Sequence, residues 1–143
     1  MKITKNFRLR EFTYSRTAKE HNIENRPNNI VINNIKLLCT KVLQPLRDNV
    51  GKEINISSGY RCLKVNELVG GSATSKHVFG QAADIFTVGL TPFELAKVVL
   101  DLNLDFDQMI LYPTFIHISY ISPDLRDNRR QLIYNQNYKG PTI

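Results

Sequence analysis

Three side chains suited to holding a metal ion lie in the second half of the sequence: His77, Asp84 and His117. Asp84 follows His77 by seven residues, and His117 lies 33 residues beyond Asp84. Two imidazoles and one carboxylate form a donor set that suits Zn²⁺ and leaves a fourth position open for water. Water bound in this way becomes acidic enough to act as a nucleophile near neutral pH. The residue types therefore predict a hydrolytic zinc site.

Each of these residues also has an ordinary interpretation. A histidine in a loop, as predicted for His77, or on a strand, as predicted for His117, is often a satisfied structural residue. Asp84 is harder to explain, because it interrupts an apolar run where a buried carboxylate needs a partner, and a metal ion is one. The third histidine, His21, precedes a polar loop and is interpreted as a surface residue.

Apolar periodicity predicts the elements that position these residues. Apolar residues recur at helical spacing from residue 30 to 50, with Pro45 kinking or dividing the helix and Gly51 ending it. Thr91 and Glu94 predict a capping box for a further helix that runs to about residue 102. Residues 7–12 are interpreted as a helical turn or a packing arm, and residues 63–69 as a short helix.

Alternating or short apolar runs predict strands at residues 54–57, 82–88, 107–111, 115–120 and, at the edge of the sheet, 131–134. Helices mostly early and strands mostly late favour a single α+β domain, with helices packed on a small, largely antiparallel sheet. Pairing between the strands of Asp84 and His117 would bring these two side chains together. The predicted zinc site therefore lies at the sheet.

Length and hydropathy bound the class of protein. The 143 residues suit one domain spanning residues 1–143. No apolar run approaches the roughly 20 residues needed to cross a bilayer. The first residues are basic but lack the apolar stretch of a signal peptide. We therefore expect a product made in the cytoplasm, which another component must export or release if it acts outside the cell.

The net charge of +6 comes from basic residues scattered along the chain, and the densest cluster is Arg126, Arg129 and Arg130. Without a basic helix or a basic–aromatic repeat, no nucleic-acid partner is predicted. The excess is interpreted first as a solvated surface and second as attraction to an anionic cell-wall polymer. Cys39 and Cys62 form no C-x-x-C pair, so a thiolate zinc site is not predicted, and both are expected to be reduced.

A ten-residue segment, residues 75–84, resembles the pattern S-x-H-x-x-G-x-A-x-D at all five fixed positions. This pattern is the signature of the D-alanyl-D-alanine carboxypeptidase-like zinc peptidases, which include phage endolysins and dipeptidases. Residues 58–61 resemble the S-G-Y-R segment of that family, and residues 115–119 resemble the region that carries its last ligand. The opening, residues 7–18, is similar to a phage and prophage subfamily. The resemblance covers nearly the whole chain.

The resemblance implies a fold of the hedgehog/D,D-peptidase type, with His77, Asp84 and His117 as the zinc ligands. Arg61 matches a residue that faces the carboxylate or carbonyl of the substrate, a task that suits a planar guanidinium. The alternative for Arg61 is a surface ion pair. Ser75 is expected to shape the loop and to contact substrate. The glycine of the motif, Gly80, implies a backbone conformation that other residues disfavour.

One position departs from the family pattern. Many members carry a glutamate or aspartate three residues before the last histidine, as general base for the attacking water, and this chain has Thr114 there. A hydroxyl is a poor proton acceptor near pH 7. Another carboxylate would then act, Asp107 being the first candidate and Glu67 the second, or the chemistry would be slow, or the domain would bind without cutting. Asp107 also fits a strand-end residue that bonds to backbone.

The leading hypothesis from the sequence is zinc-dependent hydrolysis of a peptide bond in bacterial peptidoglycan. Carboxypeptidase, dipeptidase and L-alanyl-D-glutamate endopeptidase share the zinc pattern, so all three remain open, as does a role in phage lysis. Thr114 favours the alternative, a catalytically inactive zinc-containing module that binds the cell wall. The third interpretation is a metal-free structural domain, in which Asp84 would lack its partner.

Overall fold

The computed structural model describes all residues from Met1 to Ile143. The helices are α1 (Leu9–Thr13), α2 (Arg16–Glu20), α3 (Asn29–Leu38), α4 (Gln44–Val50), α5 (Leu63–Leu68) and α6 (Pro92–Asp101). The strands are β1 (Lys2–Thr4), β2 (Phe7–Arg8), β3 (Asn55–Ser58), β4 (Ala82–Phe86), β5 (Gln108–Leu111), β6 (Ile116–Ser119) and β7 (Gln131–Tyr134). None of the helices is long and apolar enough to cross a bilayer.

The five strands β3 to β7 form one sheet in the order β3-β4-β6-β5-β7. The pairs β3–β4, β4–β6 and β5–β6 are antiparallel, whereas β5 and β7 are parallel. The predicted α+β class is confirmed. The sheet is mixed, with three antiparallel pairs and one parallel pair, where a largely antiparallel sheet was predicted. Strand β7 lies at the edge, as predicted. Strands β1 and β2 form a separate two-stranded antiparallel ribbon, so residues 7–12 contribute a strand as well as a helical turn.

The long amphipathic helix predicted over residues 30–50 is present but divided. Between α3 and α4, residues Cys39–Leu43 form a π-helical turn, in which the N–H of Gln44 donates to the carbonyl of Cys39, five residues back. Pro45 follows at once, and its ring nitrogen has no hydrogen to donate to the preceding turn. Gly51 ends the helix, as predicted. Both thiols are free, and Cys39 is fully buried.

Helix α6 begins with the predicted capping box. The hydroxyl of Thr91 accepts from the N–H of Glu94 at 3.1 Å, and the Glu94 carboxylate accepts from the N–H of Thr91 at 2.9 Å. The helix packs on β5 and β6, and α4 packs on α6. These contacts put the core between the helices and one face of the sheet.

Alternation along the central strands separates this core from the opposite face. Successive side chains of a strand point to opposite sides of its sheet. The buried, core-facing residues are Ala83 and Ile85 of β4, Met109 and Leu111 of β5, and Ile116 and Ile118 of β6. Asp84, His117, Gln108 and Ile110 take the intervening positions and line a cleft on the other face.

Candidate metal centre and active-site cleft

Strand pairing places Asp84 beside His117. The register of β4 and β6 makes these two residues direct Cα partners, and Ile110 of β5 is the next residue in the same row. Partners of this kind hold their Cβ atoms about 4.5–5.5 Å apart on one face of the sheet. The sequence predicted that strand pairing would bring His117 to Asp84, and the register does so.

His77 reaches the same point from a single 3₁₀ turn, Lys76–Phe79. The hydroxyl of Ser75 caps the turn by accepting from the N–H of His77 at 3.3 Å. Gly80 ends the turn with φ of +71°, the left-handed conformation that the motif predicted. A Cβ at Gly80 would also lie only 2.7 Å from the side chain of Val31. Both the backbone conformation and the lack of space therefore favour glycine at this position.

Three donor atoms converge on one point. The carboxylate Oδ1 of Asp84 lies 2.9 Å from Nδ1 of His117 and 3.2 Å from Nε2 of His77, and the two ring nitrogens are 3.2 Å apart. Ligands at the corners of a tetrahedron with bonds of about 2.0–2.1 Å, the usual length for nitrogen and oxygen on zinc, are about 3.3 Å apart. The triangle of donors therefore has the size that a four-coordinate zinc ion requires.

The hydrogen bond on the far side of the His77 ring fixes its tautomer. Nδ1 lies 2.7 Å from the carbonyl oxygen of Gly59, which can only accept, so Nδ1 carries the proton and donates it. In the neutral ring, Nε2 then carries no proton, and its lone pair is directed at Asp84 and His117. An outer partner of this kind orients a metal-bound histidine. Nε2 of His77 and Oδ1 of Asp84 are both acceptors that face each other, and a bound cation would give both of them a partner.

Electrostatics favour the ionised form of Asp84. Burial alone would raise the pKa of Asp84, but the polar and charge interactions with the adjoining His117 and His77 rings outweigh burial and hold the pKa well below its usual range. The side chains of His77, Asp84 and His117 are 3%, 15% and 13% exposed. The donors are thus sheltered yet open on one side to the cleft, as a catalytic metal with a free coordination position needs.

The cleft has a volume of about 600 Å³, and most of its lining residues are polar. One wall is the loop from Gly70 to Lys76, and the other comes from β5, the following turn and the segment before β7. Among its lining residues Asp84 is the only carboxylate, whereas three are cationic: Arg61, Lys76 and Arg129. With Asp84 committed to a metal, the rest of the cleft attracts negatively charged groups.

A sequence profile of the Peptidase M15 family matches residues 5–119, most of the chain. The protein belongs to the Peptidase M15 family. M15 peptidases are zinc-dependent, and the His77, Asp84 and His117 donors are the group in this member that fits such an ion. Membership indicates a metallopeptidase that acts on peptide substrates. A comparison with curated proteins gave no match.

Two further residues predicted from the sequence lie in the cleft of this M15 peptidase. Arg61 is half-buried, and its Nη2 donates to the hydroxyl of Ser75 at 3.2 Å. Its Nε is buried and has no partner. Burial lowers the pKa of Arg61, although the charge of Asp84 and the neighbouring Tyr112 oppose that shift. Arg61 therefore has no acidic partner of its own, unlike a surface ion pair, and retains an unused donor.

The base candidates do not line the cleft. Asp107 is fully buried, and both carboxylate oxygens accept hydrogen bonds from Arg126 and Arg129. Although burial opposes ionisation, these bonds keep the pKa of Asp107 well below its usual range, which makes it a poor proton acceptor. Glu67 is exposed on α5, and Thr114 is exposed in the turn before β6. This arrangement gives the base role predicted for Asp107 no support and favours a structural one.

Tyr112, Gln108 and Arg129 line the cleft but were not predicted from the sequence as site residues. The ring of Tyr112 stacks on Phe115, with centroids 4.4 Å apart and planes inclined by 10°. Burial and the charge of Asp84 raise the pKa of Tyr112, against the opposing effect of Arg61, so its hydroxyl is a donor at neutral pH. The alternation of β5 could have placed Gln108 on the same face as the site, but Arg129 follows an irregular segment with no such periodicity.

The Gly59→Ala variant should misplace His77. A Cβ on Gly59 would lie 2.6 Å from Cα and 2.7 Å from the carbonyl oxygen of Phe12, so the carbonyl that holds His77 must shift. We expect a stability loss of about 1–3 kcal/mol and a fall in zinc affinity of about 10-fold, measured by thermal unfolding and chelator competition. Gly51→Ala, which strains a helix end with φ of +70°, is the control. Equal zinc affinity in the two variants would contradict the orienting role of Gly59.

Proposed function

We propose that this M15 peptidase hydrolyses a peptide bond in bacterial peptidoglycan with zinc as its cofactor, as a carboxypeptidase or an endopeptidase. The observation that carries the proposal is the convergence of His77, Asp84 and His117 at the floor of a cleft beside Arg61, whose guanidinium lacks an acidic partner. Zinc, when bound, polarises the scissile carbonyl and makes the attacking water more acidic.

The charge of the cleft supports an anionic peptide substrate. Arg61, Lys76 and Arg129 face a cavity whose one carboxylate belongs to the donor set. Peptidoglycan stem peptides are short and carry several free carboxylates, so they match this charge. The net charge of +6 also favours approach to an anionic cell wall. We further propose that the protein reaches the wall by a separate release route or as part of a phage.

Arg61 is the residue we assign to substrate binding. Its buried, unpartnered Nε and its bond to Ser75 leave the guanidinium fixed but not neutralised. A carboxylate or carbonyl oxygen of the substrate would satisfy the remaining donors, and a charge-assisted bond of this kind is about twice as strong as a neutral one. Ser75, which holds both Arg61 and the His77 turn, then positions the substrate contact relative to the donors.

Proton transfer in this cleft has no carboxylate base outside the donor set. Tyr112 keeps its proton near neutral pH and can donate to a developing negative charge, but it cannot take the proton of the water. A positioned general base contributes roughly 10²–10⁴-fold in rate. We therefore expect slow turnover. The same observation favours the second candidate function, a zinc-containing module that binds the cell wall without cutting it.

The experiment that separates these functions is digestion of purified peptidoglycan with product analysis by mass spectrometry. The zinc-loaded protein is compared with the His77→Ala variant and with protein treated with a chelator. Defined muropeptide fragments released by the zinc-loaded protein alone would establish the peptidase and identify the bond. No release, with zinc at one ion per chain and binding to the wall retained, would favour the binding module.

The Arg61→Gln variant should bind substrate poorly while keeping its zinc. Loss of a charge-assisted contact in a half-buried site should lower kcat/KM on a stem peptide by about 100-fold, because glutamine lacks the charge and the fork of donors. Zinc content, measured by elemental analysis, should stay at one per chain. Lys64→Gln removes an exposed cation that does not line the cleft and is the matched control. If both variants had the same kcat/KM, Arg61 would have no part in binding.

A further inference from the structure

Arg129 places a second fixed cation on the cleft, on the opposite side of the donor set from Arg61. Arg61 follows β3, the donors Asp84 and His117 lie on β4 and β6, and Arg129 precedes β7. The guanidinium of Arg129 is bonded to Asp107, which directly precedes β5. From β3 to β5 there are three interstrand spacings, about 14 Å. The two arginines therefore enter the cleft from chain segments on opposite sides of the donors.

A buried carboxylate holds the Arg129 side chain in place. Its Nε lies 3.1 Å from Oδ1 of Asp107 and its Nη2 lies 2.9 Å from Oδ2, while the backbone N–H donates to Oδ1 at 3.1 Å. Asp107 itself is fully buried, so its carboxylate is a fixed partner for the Arg129 guanidinium. A side chain fixed before a ligand arrives loses less conformational freedom when it binds. The third nitrogen, Nη1, donates to no protein group.

The charges around Asp107 do not cancel. Arg126 also binds this carboxylate, with Nη1 at 2.6 Å from Oδ1 and Nη2 at 2.9 Å from Oδ2. One negative charge is thus shared by two guanidinium groups, and one positive charge remains. Arg126 does not line the cleft, whereas Arg129 does, together with Gln108 of β5. The remaining positive charge therefore faces the cleft through Arg129.

We propose that Arg129 is a specificity-determining residue that binds a second carboxylate of the substrate. This inference rests on the proposed peptidase function and narrows its substrate to short peptides with two carboxylates, one for each arginine. The second carboxylate belongs either to a side chain or to the chain terminus of the peptide.

Calorimetric binding of a stem-type tetrapeptide to the zinc-loaded protein tests this assignment without relying on turnover. Titrations are made at low temperature, and mass spectrometry afterwards checks that the peptide is intact. The peptide is used in three forms: with both carboxylates free, with the side-chain carboxylate amidated, and with the terminal carboxylate amidated. Arg129→Gln is compared with Arg126→Gln, because both lose a bond to Asp107 but only Arg129 lines the cleft.

We expect Arg129→Gln to weaken binding of the unmodified peptide by about 10-fold and Arg126→Gln to change it less than about 2-fold. Amidation at one position should cause a similar loss in the wild type and none in Arg129→Gln, which identifies the carboxylate that Arg129 binds. The titrations of the wild type with the three peptides keep the test valid even if a variant folds poorly. Equal affinity of the wild type for all three peptides would overturn the inference. If binding depends on Arg129 but no peptide is ever cleaved, the peptidase function fails and the anionic subsite stands.

Discussion

The Asp84→Asn variant is expected to lose zinc affinity by at least about 10³-fold, more than the 10–100-fold typical of losing an outer partner. Oδ1 of Asp84 is the atom that both histidines approach, at 2.9 and 3.2 Å. Asparagine keeps the shape but removes the one negative charge of a cleft that already holds Arg61, Lys76 and Arg129. A divalent cation would then bind in a site of uncompensated positive charge.

Competition with a chromophoric chelator measures this affinity, and elemental analysis after dialysis should find near one zinc per wild-type chain and almost none in the variant. Asp105→Asn is the matched control, because Asp105 is 74% exposed and its nearest ion-pair contact, with Arg130, is 3.9 Å long. Added zinc should raise the melting temperature of the wild type and of this control but not of Asp84→Asn, since a ligand stabilises only the state that binds it. Full zinc occupancy in Asp84→Asn would show that zinc binding does not need the charge of Asp84.

The Asp107→Asn variant is expected to be less stable by about 3 kcal/mol, because it removes one partner of a buried ion pair. This value is the lower end of the usual range for breaking a buried ion pair. The side chains of Arg126 and Arg129 are 39% and 51% exposed, so water can solvate their charges once the carboxylate is gone. Zinc content should not change, since Asp107 lies outside the donor set. Chemical denaturation measures the free energy of unfolding, and Asp124→Asn, at an exposed position nearby, is the control.

Acid should reduce the stability advantage of the wild type over Asp107→Asn. Hydrogen bonds from the two arginines outweigh burial and depress the pKa of Asp107 in the folded state, whereas the unfolded chain has an ordinary value of about 3.9. The stabilisation is therefore complete above about pH 5 and declines as the pH falls below about 4, where the unfolded state takes up the proton first. A stability difference that stayed constant from pH 7 to pH 3 would mean that the charge of Asp107 does not matter.

Local patterns predicted the parts of the site that lie on regular elements. The alternation of β4 and β6 separates Asp84 and His117 from the core residues beside them, and the sequence motif placed His77 and Gly80 in one loop. The capping box of α6 needs only the residues from Thr91 to Glu94, so it too was readable from the sequence. Such features depend on neighbours a few positions apart along the chain.

Features set by distant contacts were not predicted. Asp107 was the first candidate for the general base because it was predicted to lie on the strand that pairs with that of His117. The arginines that bind it lie 19 and 22 residues downstream, so no local pattern indicated them. Nothing in the four residues of β7 specifies that they pair parallel to β5. The division of the long helix was predicted from Pro45, whereas the π-helical form of the preceding turn follows from packing and backbone bonding. Tertiary contacts decided each of these cases.

Strand β7 and the residues just before it have a practical consequence for anyone who prepares shortened versions of the protein. The family match ends at residue 119, which makes that position an obvious place to truncate a recombinant fragment. Such a fragment would lack β7, so the outer backbone groups of Gln108–Leu111 would lose their partners. It would also lose Arg126 and Arg129 and leave the Asp107 carboxylate without its two cationic partners. An open strand edge is a template for pairing between molecules, so this fragment would tend to aggregate. The smallest well-behaved unit of this peptidase therefore extends at least to Tyr134.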